Sequence, residues 1–429
     1  MEIRPFHGLH YSAVGDGDVT ARIAPPYDVL SAEDRDALLA SDPHNIVAVD
    51  LPHFPPHAAG PDEDYQRARE RIDQWRAEGV LVQEDRPALY VYEQTYRAAG
   101  KEHTRRAVLC GVRATELGED VKPHEHTYAG PKADRLKLTE HTRVQMSPVF
   151  GFYQDPTGRA GELLAGAASG RPDLSGELAG VEEKLWVCPD EALAADLAET
   201  LRPQPVFIAD GHHRYTTGLN YRNALRDAGR IDDAHEANYV LFALVEANDP
   251  GLIVLPTHRV VSGLAPGFRM DKLAKAADEF DWRRCSVEDA DLTDADSWLG
   301  RYGPGAMALM DADPAEIWIA RLKRPEAMVE AAPDESDAWR GLDVAVLHKL
   351  IIDKAINPWR TDDVTIEYTP DGRQVLSACR SGRGQLGVCL QGTPIEAVEQ
   401  VALAGGSMPH KSTYFYPKLA TGIVLKPLE

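Results

Sequence analysis

Residues 205–215 read Pro-Val-Phe-Ile-Ala-Asp-Gly-His-His-Arg-Tyr: a short apolar run, an acid, a glycine and then three hydrogen-bond donors. That order predicts a buried strand delivering a turn directly into a helix. Gly211 permits close approach of a ligand to the backbone, the first-turn amides of the helix point outward, and the helix dipole adds about half a positive charge there. His212, His213 and Arg214 add side-chain donors, and Arg214 is able to grip a phosphate with two hydrogen bonds. Asp210, at the carboxyl end of the strand, is a candidate to hold Mg2+ against that phosphate. The plainer reading has Asp210 capping the helix while the histidines satisfy local hydrogen bonds.

Three further segments carry chemistry. Lys122-Pro123-His124-Glu125-His126-Thr127, followed by Gly130-Pro131-Lys132-Ala133-Asp134-Arg135, reads as a loop because of its Pro and Gly. It sets one potential base, Glu125, among cations, Lys132 and Arg135 chief among them. Such a pairing suits moving a phosphoryl group to or from a hydroxyl; read plainly, it is a solvated loop whose charges pair with each other. His124, His126 and His141 offer a zinc-hydrolase alternative, although the motif lacks the i, i+4 spacing of HExxH. His258 and Arg259 leave an apolar strand after Pro256-Thr257, the kind of strand end where α/β sheets put ligands. Their two readings are a place in the same cleft as His213 and a structural one. Finally, Gly405-Gly406-Ser407-Met408-Pro409-His410-Lys411-Ser412-Thr413 superficially matches GxxxxGK[ST], but His410 stands where Gly is required and Pro409 interrupts the loop, so a Walker A reading is rejected. Lys411, Ser412 and Thr413 form either a second anion-binding loop or part of a packed tail.

These groups need elements to position them. Ala68, Ile72 and Trp75 lie on one stripe of a helix predicted over 65–79, and strands are predicted at 88–96, 107–112, 147–153 and 205–210. A helix over 215–228 leads to strands at 239–245 and 252–255. Beyond these come a helix over 343–355, strands near 365–368 and 387–391, and a helix over 394–404. The fold class that follows is α/β, in the mixed α+β sense. Breaks at 53–64, 155–180 and 331–337 suggest an N-terminal region 1–154, a core 181–270 carrying the Asp210–Arg214 turn, and a C-terminal region 271–429.

The chain of 429 residues carries 46 Lys plus Arg against 68 Asp plus Glu, a formal charge of −22. That average field repels phosphate backbones and anionic lipid, so neither nucleic acid nor membrane is an expected partner. A small anion can still be held locally, because salt screens the remaining surface beyond about 10 Å. The five cysteines are far apart and form no CxxC, so a disulfide framework or Cys-rich zinc site is not expected. The first eleven residues lack an apolar segment and no stretch approaches about 18 apolar residues, which predicts a soluble, cytoplasmic protein.

Taken together, Arg4-Pro5-Phe6, Ala24-Pro25-Pro26-Tyr27-Asp28-Val29, His124-Glu125-His126-Thr127, Pro131 to Arg135, Asp210 to Tyr215, Leu255 to Arg259 and Lys411 to Lys418 resemble the family known as domain of unknown function 1015, nearly end to end. Some of its members are labelled phosphatases. Asp210 to Arg214 also resembles the signature of the ParB and sulfiredoxin superfamily, which includes a free serine kinase. That second resemblance implies a ParB/sulfiredoxin-like core with added N-terminal and C-terminal α/β regions. It also implies that the turn cradles the phosphates of ATP or ADP with Mg2+ near Asp210, and that Glu125 serves as the base for a substrate hydroxyl. The catalytic Cys of sulfiredoxin is a His here, so sulfinate repair is not implied. The expectation is a phosphoryl-transfer enzyme, kinase or phosphatase, acting on a small hydroxylated or phosphorylated metabolite such as serine or phosphoserine. The alternative is a non-catalytic nucleotide-binding or DNA-partition module, against which the net charge argues in its DNA form.

Overall fold

The structure, a computed structural model, describes residues 1–13, 17–56, 58–125, 127, 129–313 and 315–429. It divides into two compact units, one comprising Met1–Leu252 with Pro417–Glu429 and the other Ile253–Tyr416. The second unit is therefore an insertion in the sequence of the first. The sequence boundaries at 154/181 and 270/271 fall inside the first and second units respectively.

The first unit is built on a nine-stranded mixed sheet. Its strands are β1 (Ile3–Arg4), β2 (Leu89–Ala98), β3 (Lys101–Arg113), β4 (Val121–Lys122), β5 (Val149–Tyr153), β6 (Leu174–Leu178), β7 (Val181–Cys188), β8 (Val206–Asp210) and β9 (Tyr239–Glu246). They run in the order β4-β8-β5-β9-β3-β2-β7-β6, with β1 added to β3. β4 is parallel to β8 and β5 to β9; the other pairings are antiparallel. Central strands β5, β8 and β9 are near-continuous apolar runs, as strands buried on both faces must be. Val206, Phe207 and Ile208 of β8 are almost fully buried, each such side chain stabilising the fold by about 2 kcal/mol, and they fix where β8 ends. Strands β4 and β8 run side by side with Val206 opposite Val121 and Phe207 opposite Lys122, so the segments leaving their carboxyl ends, 123–125 and 211–214, emerge together.

Helices α1 (Asp62–Ala77), α2 (Ala129–Thr142) and α3 (His212–Asp227) carry the remaining groups of interest. Helix α1 buries the expected stripe, Tyr65, Ala68, Ile72 and Trp75, and starts with three acids against its dipole. Two sequence expectations are corrected. The stretch 130–135 is not loop: α2 starts at Ala129 and contains Lys132 and Arg135. Pro131 falls in its first turn, where the missing amide is not needed. The stretch 155–180 is not simply a break, since it holds a helix over Arg159–Ala167 and strand β6. That helix buries only Ala160 and Leu164, too short a stripe to stand out in an Ala- and Gly-rich sequence.

The second unit contains a six-stranded sheet, all of whose pairings are antiparallel, with strands at Phe280–Ser286, Glu316–Leu322, Met307–Met310, Leu386–Cys389, His258–Ser262 and Thr365–Thr369 in spatial order. The chain enters and leaves this unit as one antiparallel pair, Ile253–Leu255 against Tyr414–Tyr416. The helix expected over 343–355 is a single α-turn, Asp343–Val346, that continues as a π-helix over Leu347–Ala355. Among the described residues no helix is long and apolar enough to cross a membrane.

Candidate functional site

The strand-turn-helix at 206–227 forms as its sequence demands. Gly211 adopts φ +93°, a left-handed conformation, and a Cβ at that position would lie 2.9 Å from Nε of Arg214. The conformation therefore requires glycine, and a Cβ there would also press on Arg214. Among the described residues no side chain caps the start of α3, and the first amide bonded back along the helix is that of Tyr215, to the Gly211 carbonyl at 2.9 Å. The plainer expectation, Asp210 as helix cap, does not describe this turn. Asp210 instead accepts from Lys418 Nζ at 2.7 Å on one oxygen and from an Arg214 terminal nitrogen at 2.5 Å on the other. Burial pushes the Asp210 carboxyl up, but the charges of Lys418 and Arg214 outweigh it and hold the group well below the usual carboxylate range.

Arg214 is thus largely committed within the protein, its second terminal nitrogen donating to the Pro148 carbonyl at 2.5 Å. It fixes the end of β8 against the segment leading into β5. With both Asp210 oxygens engaged by cations, the carboxylate does not fit a Mg2+ ligand as the side chains stand. We derive no step from a metal at this position.

Beside this turn stands a histidine pair. The His124 backbone amide donates to Nε2 of His212 at 3.2 Å, which makes that nitrogen an acceptor and places the ring proton on Nδ1. Nδ1 lies 3.8 Å from a carboxylate oxygen of Glu125, within ion-pair reach but beyond a hydrogen bond. Burial, then the neighbouring His124, pushes His212 well below its ordinary value, and burial lowers His124 to about 4. Both imidazoles are therefore neutral at neutral pH, and they meet edge to face with centroids 4.7 Å apart. His212 is 5% exposed, whereas Glu125 is 38% exposed, so the carboxylate has the access to solvent that the ring lacks.

His213 is half-buried. Burial lowers its value; Lys132 and Arg214 act in the same direction, while Asp28 and Asp210 act against it. Lys132 of α2 is among the charges that bear on the turn. Arg135, one helical turn further on, faces inward: it is 5% exposed, donates to Asp134 at 2.8 Å and to the Asp50 carbonyl at 2.6 Å, and lies 4.2 Å from the centre of the Tyr27 ring. Arg135 and Arg214 line one narrow cavity of about 50 Å³ with Tyr27, Asp50 and Thr217, room for little more than water.

The remaining candidates, His258, Arg259, Lys411, Ser412 and Thr413, belong to the second unit. There, His258 is buried and its Nδ1 accepts from the Leu390 amide at 3.2 Å. Ser412 is buried and donates to the Pro409 carbonyl, Lys411 is exposed, and Thr413 is half-buried. For the zinc alternative, His126 lies outside the described residues. His141 bonds to the Lys137 carbonyl at 2.8 Å and packs on Tyr65, while among the described residues no group of three His, Cys, Asp or Glu is placed to hold a metal.

Sequence reasoning did not single out Lys418 and Asp28. Lys418 stood only at the end of an aromatic tail, 208 residues from Asp210, and a single sequence gives no sign of that pairing. Asp28 offered a weak signal, an acid closing a Pro-Pro-Tyr turn.

Residues 3–345 match the family described as protein of unknown function DUF1015. A comparison with curated proteins returns no match. Among solved structures, the chain is similar to a free serine kinase in complex with AMP, with 11% identity, 74% of this chain and 91% of that chain covered, and a TM-score of 0.33. It is similar also to a conserved hypothetical protein from Pyrococcus furiosus, with 12% identity, 74% and 95% covered, and a TM-score of 0.32. A C-terminally truncated SbnI from Staphylococcus aureus gives 12% identity, 75% and 87% covered, and a TM-score of 0.34.

Proposed function

The chain belongs to the DUF1015 family, and from that premise we propose that it is a phosphoryl-transfer enzyme that moves a phosphoryl group between a nucleotide, ATP or ADP, and a small hydroxylated metabolite. The observation that supports this reading is the pairing of an uncapped helix start at Gly211 with a neutral His212 and the accessible Glu125 carboxylate. The helix start favours an oxyanion. Lys132 and His213 are the side chains at the turn suited to the phosphoryl oxygens, while Lys418 and Arg214 hold Asp210 and keep the turn in shape.

In the forward direction the hydroxyl proton passes to Glu125 as the substrate oxygen bonds to phosphorus, and the bond from phosphorus to the nucleotide oxygen breaks, releasing the shortened nucleotide. His212, with its proton on Nδ1 and that nitrogen 3.8 Å from Glu125, does not itself need to ionise. Serine is the first metabolite to try, with phosphoserine for the reverse reaction.

The test is phosphorus NMR of the purified protein with ATP or ADP, Mg2+ in solution, and a panel of free and phosphorylated hydroxy amino acids and polyols. A new phosphate ester, or consumption of one with formation of a nucleotide, supports the reading. Absence of any transfer across the panel, together with no nucleotide binding by calorimetry, would remove it.

A further inference from the structure

Arg259 is the most deeply buried cation of the second unit's sheet, 1% exposed on the strand His258–Ser262 and paired across the sheet with Tyr368. One terminal nitrogen donates to the Thr257 carbonyl and the other to the Lys411 carbonyl at 2.9 Å, and its guanidinium carbon lies 5.4 Å from the centre of the Tyr368 ring. Its Nε has no hydrogen-bond partner among the described residues. Two carbonyls and a ring carry no net charge, so among the described residues this guanidinium is buried without a counter-ion, an arrangement far costlier than a paired one. Burial lowers its value only to about 10, so it stays protonated at neutral pH.

A second buried side-chain nitrogen is left over in this unit. Nε2 of His348 also has no partner among the described residues. His348 is the second residue of the π-helix over Leu347–Ala355, and π-helical turns recur at functional sites because they re-aim a side chain. The charges that bear on His348 are Arg259, His410 and Lys349, all of them cationic or potentially so. His410 meets the Tyr368 ring edge-on at 5.9 Å, and Lys411, a non-glycine residue held at φ +56°, brings its carbonyl to Arg259. Backbone held in that region is strained and persists where the surroundings require it. His410 and Lys411 are exposed.

We propose that the second unit binds a tetrahedral oxyanion, inorganic phosphate or the phosphate of a small monoester, between Arg259 Nε and His348 Nε2. This site lies wholly among residues of the second unit and does not depend on the role of the Gly211 turn.

Crystals of the intact protein soaked in tungstate, located by anomalous scattering, test it directly. The expected result is a peak within hydrogen-bond reach of Arg259 Nε and His348 Nε2. His348→Leu removes a side-chain nitrogen without a partner among the described residues, so it should fold as the parent does; its crystals should lose that peak. In solution, phosphate and glycerol phosphate are titrated separately and followed by the rise in melting temperature, with chloride as the control. A response to both assigns the phosphate group itself, and a response to one names the source. Either response should weaken about tenfold or more in His348→Leu and in Arg259→Lys. A tungstate peak at the Gly211 turn alone, or variants that titrate like the parent, would overturn this site and leave the phosphoryl-transfer reading untouched.

Discussion

Glu125 is the residue on which the proposed chemistry turns, because it joins a position beside the buried His212 to a side chain open to solvent. Glu125→Gln keeps the shape and removes the base, so kcat should fall about 10²- to 10⁴-fold with KM little changed, read from steady-state kinetics on whichever substrate the panel identifies. An unaltered kcat would exclude Glu125 as the base. At this scale the sequence was legible where the chemistry is contiguous. Asp210 to Arg214 could be read as a turn because strand, glycine and donors follow one another within ten residues. Arg135 shows the limit. Its type and its neighbour Lys132 suggested an anion site, yet its charge is absorbed by Asp134 and by Asp50, the latter 85 residues away. Arg214 likewise has the right place and a different occupation, since Asp210 and Pro148 take its terminal nitrogens.

Among the elements, strands β2 and β7 deserve separate consideration because they bury an acid. Glu183 of β7 sits opposite Gln94 of β2, is 1% exposed, and accepts from the Tyr92 hydroxyl at 2.5 Å and from the Gln94 amide at 3.1 Å. Burial raises its value to about 7 in spite of those two hydrogen bonds and the Arg105 charge. A folded-state value above the unfolded one means that the folded protein holds this proton more tightly. The resulting stabilisation is complete below about pH 4.5 and is lost as pH rises through 7, a change of about 3 kcal/mol for this group alone. Glu183→Gln should flatten the fall in melting temperature between pH 5 and pH 8, measured by calorimetry; an equally steep profile would place the proton elsewhere. The alternation that betrays β7 in the structure was hard to find beforehand, since Glu183 occupies an inward position where an apolar residue is the rule. The start of α2 was obscured for a different reason: Gly130 and Pro131 look like turn residues unless one knows that the helix begins just before them.

For the molecule as a whole, the mixed α/β class follows from alternating apolar strands and amphipathic helices, and it is what the structure has. The insertion was not legible, because discontinuity in a unit is a matter of which distant segments pair. Ile253 and Tyr416 are partners in one antiparallel ladder, so the two ends of the insertion lie roughly 5 Å apart. Both stubs in the first unit are tied down there: the Tyr96 hydroxyl donates to the Gly251 carbonyl at 2.6 Å, Arg105 to the Pro417 carbonyl at 2.8 Å, and Gln94 to the Lys418 carbonyl at 3.2 Å. Replacing residues 253–416 by a linker of a few glycines should therefore leave a first unit that folds cooperatively, as judged by circular dichroism and a single thermal transition. A chain that stays unfolded would show that the first unit draws its stability from the insertion.

The bond between Lys418 and Asp210 also sets an order of events during biosynthesis. A nascent chain can complete β8 and the start of α3 while the ribosome is still translating the insertion, yet Asp210 must wait for its lysine until the stretch from Pro417 onward has left the exit tunnel. Until then the carboxylate has Arg214 alone, and the turn stays unfinished while the insertion is being made.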